Sequence, residues 1–523
     1  MKVLVTEPLA EEGLALLREE AEVDVRLGLD AERLAEIIGD YDALVVRSAT
    51  RVTASVIEAA QRLKVIGRAG AGVDNIDLAA ATRRGILVVN APGSNSIAVA
   101  EHTLALMLAL ARRIPQADAE LRAGRWEKRR LAGVELRGKT LGIIGLGRVG
   151  TAVARRAAGL EMRIIAYDPF VAVDRAARLG VRLVSLEELL RTADFVSIHA
   201  PLTDLTRGMI GARELALMKP TAYLINCARG GIVDEEALAR ALAEGRLAGA
   251  ALDVFAREPP FGSPLLTSEK VILTPHLGGS TQEAQRNVAV DVAQQVLAVL
   301  KGELPRYPVN APALPPEELA ELGPYIDLAE RLGRFYAQLA GNNLVGVELI
   351  YAGEVAEHDT SLLKAAALVG LLSPISEEPV NLVNAELVAK GRGLIVEEHK
   401  SPAAEHFTGL ISLRLSTTAG ERLVSGTVMR GEPHIVRIDD FWFDFVAAGI
   451  LLVSEHIEGP GILGRVGTLL GEAGVNISFV QTGRKGRGKR GVMVLGLDDP
   501  VTPQLLAKIM ALPSIRAARV VKL

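Results

Sequence analysis

Leu141-Gly142-Ile143-Ile144-Gly145-Leu146-Gly147-Arg148-Val149-Gly150 is the stretch on which the fold turns. A short apolar run enters three glycines spaced G-x-G-x-x-G, and a helical pattern follows from Thr151. A second apolar run, Ile164-Ile165-Ala166-Tyr167, ends at Asp168, eighteen residues after Gly150. Strand, glycine turn, helix, strand and acid in that order spell a dinucleotide-binding βαβ unit. A pyrophosphate must reach the unpaired N–H groups and positive dipole end of a helix N-terminus, and a Cβ would stand in its way, so Gly145, Gly147 and Gly150 are candidate cofactor residues. The Asp168 carboxylate suits ribose hydroxyls and repels a 2′-phosphate, which favours NAD over NADP. Taken alone, Asp168 also reads as a strand-end turn residue before Pro169.

Around this unit the alternation continues. From Met1 to about Ala91, short Val/Ile/Leu runs alternate with helical stretches rich in Ala, Glu and Leu, the pattern of a parallel α/β domain. From Gly138, six strands are predicted, at Thr140 to Ile144, Arg163 to Ala166, Phe195 to His199, Tyr223 to Asn226, Ala250 to Asp253 and Val271 to Leu273, enough for a Rossmann-type sheet. A helical pattern, Thr281 to Leu300, runs into Pro-rich sequence at Leu304 to Pro312, which marks a linker. Residues from about 315 to 446 mix helices and strands without a catalytic motif. Gly449 to Leu523 reads as a ferredoxin-like βαββαβ unit.

The composition narrows the function classes. A chain of 523 residues exceeds one core and implies about three to four domains. Net charge is -4 and hydrophobic residues make up 49%, with mean hydropathy +0.26, so no one-signed field favours nucleic acid or an anionic membrane surface. The basic run Arg484 to Arg490 reads as a solvated loop between strands. The single cysteine, Cys227, excludes an intrachain disulfide and a multi-cysteine metal site, and no metal is expected. With no leader pattern and no apolar run long enough to span a bilayer, a soluble cytoplasmic protein is expected.

Ligands of such sheets bind outside the carboxyl ends of the strands, and that is where Arg229, Glu258 and His276 fall. Hydride chemistry on a 2-hydroxy acid needs a group to hold the carboxylate, one to exchange the alcohol proton and one to tune the exchanger. Arginine, histidine and glutamate supply those roles. Singly, Arg229 also reads as a surface charge, His276 as a helix cap and Glu258 as a loop acid; together, after successive strands, they read as a catalytic set.

Ala228-Arg229-Gly230-Gly231, Ala256-Arg257-Glu258-Pro259 and Thr274-Pro275-His276 resemble the hallmarks of the D-isomer-specific 2-hydroxyacid dehydrogenases. Gly67 to Asp77, Pro92-Gly93-Ser94-Asn95-Ser96 and the C-terminal segment, with His456, Gly459-Pro460-Gly461 and Val475-Asn476-Ile477, resemble the long-form phosphoglycerate dehydrogenase branch with its intervening and ACT domains. The resemblance implies an α/β chain of two Rossmann-like parallel-sheet domains followed by two α+β modules. These are a discontinuous substrate domain (1–95 and 280–306), an NAD domain (96–279), an intervening domain (315–446) and an ACT domain (449–523).

It further implies oxidation of 3-phosphoglycerate with NAD, with His276 as acid/base, Glu258 raising its pKa and Arg229 clamping the carboxylate. Arg148, Val149, Ala200, Cys227, Ala228, Asp253, Gly278 and Gly279 join the cofactor site. Arg47, Arg68 and Asn95 join the substrate site, with Arg129 a further cation reaching across a dimer. His456, Glu458 and Asn476 form an effector site for L-serine at a dimer interface, and a homo-oligomer, dimer or tetramer, is implied. Glu458 stands where the family has an aspartate. Rival readings are a glycerate or hydroxypyruvate dehydrogenase and, from another class, a dinucleotide-sensing corepressor.

Overall fold

The computed structural model describes residues 1–340, 344–404, 406–418 and 420–523. Its first sheet is all parallel, with strands β1 (Lys2–Val5), β2 (Glu22–Val25), β3 (Ala43–Val46), β4 (Val65–Arg68) and β5 (Leu87–Asn90) in the order β2-β1-β3-β4-β5. Helices cover both faces, so the central strands carry unbroken apolar runs rather than an alternation; all four residues of β3 are buried.

The second sheet is also parallel. Its strands are β6 (Thr140–Ile144), β7 (Arg163–Tyr167), β8 (Arg182–Leu183), β9 (Phe195–Ile198), β10 (Tyr223–Asn226), β11 (Gly249–Leu252) and β12 (Val271–Leu273), in the order β12-β11-β10-β9-β6-β7-β8. This corrects the six strands expected from sequence to seven: β8 is a two-residue edge strand after Gly180, too short to carry a period. The strand order reverses between β6 and β9, and the glycine turn leaves β6 at that point.

The chain passes between the sheets twice. Helix Ser96–Arg112 buries Leu104, Met107 and Leu110 against Leu141 and Ile143 of the second sheet. Helix Gln282–Leu300 returns, setting Val288, Val292 and Val296 on Val3, Val45 and Val65 of the first. Beyond it the chain stays with the first sheet as far as Asn310: Val309 N–H donates to Val88 O at 2.8 Å, and Asn310 Oδ1 accepts from Val88 N–H at 2.8 Å.

A third, mixed sheet follows helix Pro316–Ala340. It orders β13 (Leu344–Gly353), β14 (Ile395–Ser401), β15 (Gly409–Thr417), β16 (Gly420–Met429), β17 (Glu432–Ile438) and β18 (Phe441–Val446) as β14-β13-β15-β16-β17-β18. The fourth sheet is antiparallel, β20-β21-β19-β22, from β19 (Ile450–Ile457), β20 (Ile477–Arg484), β21 (Arg490–Leu497) and β22 (Ile515–Lys522). Helices Ile462–Glu472 and Pro503–Met510 complete the βαββαβ order.

Both faces of the fourth sheet are covered. Leu452, Met493 and Leu495 face its own helices, while Leu451, Val453, Val492, Val494 and Val521 join the same apolar cluster as Leu328, Phe335 and Phe445 of the preceding module. Arg422 and Asp439 of one module and Glu455 and Arg490 of the other close an ion-pair ring over this joint, with contacts of 2.7 to 3.3 Å. The expected solvated loop at 484–490 is therefore pinned at its ends: Arg490 enters this ring and Lys485 pairs with Asp440.

Candidate active site

The carboxyl ends of strands from both parallel sheets open onto one cleft of about 1560 Å³. From the first sheet come Arg47, just after β3, and Arg68, the last residue of β4; from the second come Arg229 after β10, Glu258 after β11 and His276 after β12. Asn95 and Gly279 line the same wall. Arg129 is exposed on the segment Lys128–Leu131 and does not line the cleft.

His276 Nδ1 faces Glu258 Oε2 at 2.8 Å. The Glu258 hydrogen bond raises the histidine's pKa, against the opposing pull of burial. Burial would likewise raise Glu258, but the His276 contact and an N–H from Phe255 outweigh it and hold the carboxyl below its ordinary value. With Nδ1 engaged by the carboxylate, Nε2 is the ring atom left for a ligand.

The backbone beneath this pair is unusual: His276 has φ 55°, the left-handed region that side chains with a Cβ rarely occupy. Asp253 holds it there. Its carboxylate is buried and accepts from Leu277 N–H at 2.7 Å, Gly278 N–H at 2.8 Å and the Thr274 hydroxyl at 2.6 Å, with His102 Nε2 3.3 Å away. Asp253, expected on the cofactor, thus anchors the 274–278 loop, and its Oδ2 accepts a single hydrogen bond, from Gly278. Glu235 anchors the other loop, accepting from Ala256 N–H and from Ser263 Oγ at 3.0 Å.

Arg229 donates through Nε to Asp74 Oδ2 at 3.2 Å and through Nη1 to Ala228 O at 2.7 Å. Arg68 lies deeper, and its Nε is buried with no partner among the described residues. Burial, reinforced by the Arg229 charge, pushes its guanidinium down to about 10. A donor buried without an acceptor is costly, and an anion in the cleft would relieve it. Glu7, just past the end of β1, accepts N–H groups of Arg47, Ala49 and Thr50 and so fixes that loop, and its negative charge partly offsets the cationic surroundings of Arg68.

The glycine turn is not on the wall of this cleft. A Cβ at Gly145 would lie 2.8 Å from the His199 carbonyl carbon, and one at Gly150 would lie 2.1 Å from Gly145 O, so both are required by packing. A Cβ at Gly147 would meet no protein atom within 4 Å. Gly147 caps helix Arg148–Gly159 with no side-chain cap, and the open space beside a helix N-terminus is a fit for a pyrophosphate. Asp168 Oδ2 accepts from Leu146 N–H at 2.8 Å and so ties β7 to the turn. Arg148 is 5.1 Å from the centre of the Tyr307 ring, Cys227 is buried, and Val149, Ala200 and Ala228 are only partly exposed. Burial pushes the Cys227 thiol up to about 12, which leaves it unreactive.

Of the expected effector residues, His456 and Glu458 meet within one chain and Asn476 lies apart from them. His456 pairs with Gly491 at one end of β19, whereas Ile477, next to Asn476, pairs with Leu497 opposite Ile450 at the other. His456 is buried, its Nε2 3.2 Å from Glu458 Oε2, and Asn476 Nδ2 donates to Asp498 at 2.6 Å.

Sequence reasoning gave no role to Glu7, Asp74, Thr274 or Glu235. Glu7 alone carried a local signal, an acid just past the carboxyl end of β1.

Residues 104–278 match the NAD-binding domain of the D-isomer-specific 2-hydroxyacid dehydrogenases, 321–439 the D-3-phosphoglycerate dehydrogenase intervening domain, and 451–514 the ACT domain. Proteins named D-3-phosphoglycerate dehydrogenase from Methanocaldococcus jannaschii and Archaeoglobus fulgidus are 48% and 44% identical, each aligned over 100% of both chains. The chain belongs to the D-3-phosphoglycerate dehydrogenase family.

The Bacillus subtilis member is 39% identical over 100% of this chain and 99% of its own. Solved structures match somewhat more than half of the chain. D-lactate dehydrogenase from Aquifex aeolicus, complexed with NAD and lactic acid, covers 58% of this chain and 96% of its own at 28% identity and TM-score 0.53. NAD-dependent formate dehydrogenase from Staphylococcus aureus, in complex with NAD, covers the same shares at 33% identity and TM-score 0.53. Among the described residues no group of His, Cys, Asp and Glu could hold a metal ion, and no helix is long and apolar enough to cross a membrane.

Proposed function

We propose that this member of the D-3-phosphoglycerate dehydrogenase family oxidises 3-phospho-D-glycerate to 3-phosphooxypyruvate with NAD, the step that opens L-serine synthesis. The observation that carries the reading is the His276–Glu258 pair, 2.8 Å apart, in a cleft shared with Arg229 and the half-buried Arg68. Arg229 holds the substrate carboxylate, and Arg68, Arg47 and Asn95 receive the phosphate end. His276 takes the C2 hydroxyl proton on Nε2, and the imidazolium so formed is stabilised by Glu258 through Nδ1. NAD, bound along Gly145, Gly147, Gly150 and Asp168, with Arg148, Val149, Ala200, Ala228, Gly278 and Gly279 around it, supplies the hydride acceptor. Closure of the two parallel-sheet units over the cleft excludes water from the transfer.

The ACT module is read as a sensor of L-serine. His456 and Glu458 stand at the opposite end of β19 from Asn476, so a site that unites them needs a second copy of the chain, which favours a homo-oligomer. The buried free thiol suits a cytoplasmic setting.

The test is NADH formation from 3-phosphoglycerate against unphosphorylated glycerate, with His276→Ala alongside. Strong preference for the phosphorylated acid, and a fall of about a hundredfold or more in kcat for His276→Ala, is the expected result. Equal use of glycerate would overturn the phosphate assignment, and an active His276→Ala variant would overturn the acid/base role.

A further inference from the structure

Asp74 lies on the loop that follows β4 in the first parallel-sheet unit, and its exposed carboxylate reaches across the cleft to Arg229 of the second. We propose that Asp74 is a positioning residue for the reaction, holding the Arg229 guanidinium turned towards the substrate carboxylate and tying the two units in register across the cleft. This rests on the reading of Arg229 as the carboxylate clamp.

A free arginine side chain samples many rotamers, and each must be given up when it grips a ligand. Here the guanidinium is held on three sides. Asp74 takes Nε and Ala228 O takes Nη1, while the Gly72 backbone lies so close to Nη2 that a Cβ there would come within 2.0 Å of it. Nη2 has no hydrogen-bond partner among the described residues, which leaves it for an incoming carboxylate.

The negative charge matters as well as the acceptor. Arg47, Arg68 and Arg229 line one cleft, and Arg68 is depressed in part by the charge of Arg229. The charges of Glu7 and Asp74 both favour the Arg68 cation, but among the described residues Asp74 is the carboxylate that pairs with Arg229. Its side chain is 67% exposed, so the pair is weak enough for substrate to share the arginine without displacing a buried competitor.

The experiment measures kcat and KM for 3-phosphoglycerate and for NAD in Asp74→Ala and Asp74→Asn, in the native background and in Arg229→Lys. Loss of a positioning partner weakens substrate capture, so Asp74→Ala is expected to raise the 3-phosphoglycerate KM roughly three- to tenfold, with kcat and the NAD KM within about twofold. Asp74→Asn keeps an acceptor and falls between. With Arg229→Lys, which loses the guanidinium fork that Asp74 orients, Asp74→Ala is expected to raise KM by less than in the native background. An unchanged or lower KM, or the same fold-change in both backgrounds, overturns the inference while leaving the function standing. Failure of the unsubstituted enzyme to oxidise 3-phosphoglycerate overturns the functional reading and this inference with it.

Discussion

A histidine at φ 55° does not hold that backbone by preference; Asp253 imposes it through two N–H groups and the Thr274 hydroxyl. What the strain secures is a fixed ring, with Nδ1 on Glu258 and Nε2 free. The pH behaviour follows. Glu258 raises the histidine's pKa, so the neutral base needed for oxidation is populated only above that raised value, and the imidazolium needed for reduction persists below it. Glu258→Gln removes the first cause of the elevation. Both limbs are expected to move to lower pH, oxidation gaining ground on its acid side and reduction losing it on its alkaline side, with maximal kcat down by about tenfold or more. Profiles of kcat/KM against pH in the two directions check this, and an unmoved limb would show that the pair does not set the titration.

Among the elements, the turn between β6 and helix Arg148–Gly159 separates two uses of glycine that sequence spacing alone presents as one. Gly150 has Gly145 O at 2.1 Å from any added Cβ, so Gly150→Ala must push helix from strand, a loss expected at about 1–3 kcal/mol. Gly147 faces open space, so Gly147→Ala should leave Tm within a degree or two and raise the NAD KM by about tenfold or more. Thermal melts beside NAD kinetics separate them; a destabilised Gly147→Ala would mean that the open side is not the pyrophosphate side. This level was the most legible from sequence. Glycine spacing, apolar runs and the residues just past β10, β11 and β12 are local signals, and each reports a local physical demand. β8 escaped because two residues carry no period. Asp74 escaped for a different reason: its partner is 155 residues away, and nothing near Asp74 in the chain announces a guanidinium opposite it.

For the whole molecule, the sequence divides the C-terminal 200 or so residues into two modules, and the structure joins them through one shared apolar cluster while the fourth sheet and its helices keep a second of their own. The reason is in β19 and β21, which are apolar on successive positions because each face of their sheet is covered, one by its own helices and one by the preceding module. Phe445 sits at the joint, 6.5 Å from Phe335, 6.2 Å from Phe443 and 5.7 Å from Phe479 of the fourth sheet, measured between ring centres. Above it the ring of Arg422, Asp439, Glu455 and Arg490 satisfies the charges that the joint half-buries, and removing any one member leaves each of its two partners with one ion pair instead of two. Two modules that share a core this way cannot hinge freely at residues 447–449, so any effector signal must pass through them as one body. Calorimetry should accordingly show residues beyond 315 melting in a single transition. Phe445→Ala, which empties the joint, should lower that transition by an amount corresponding to about 3–5 kcal/mol while kcat for 3-phosphoglycerate stays within about twofold. Separate melting of the ACT module, with the intervening module unmoved by Phe445→Ala, would mean that the shared cluster does not couple them.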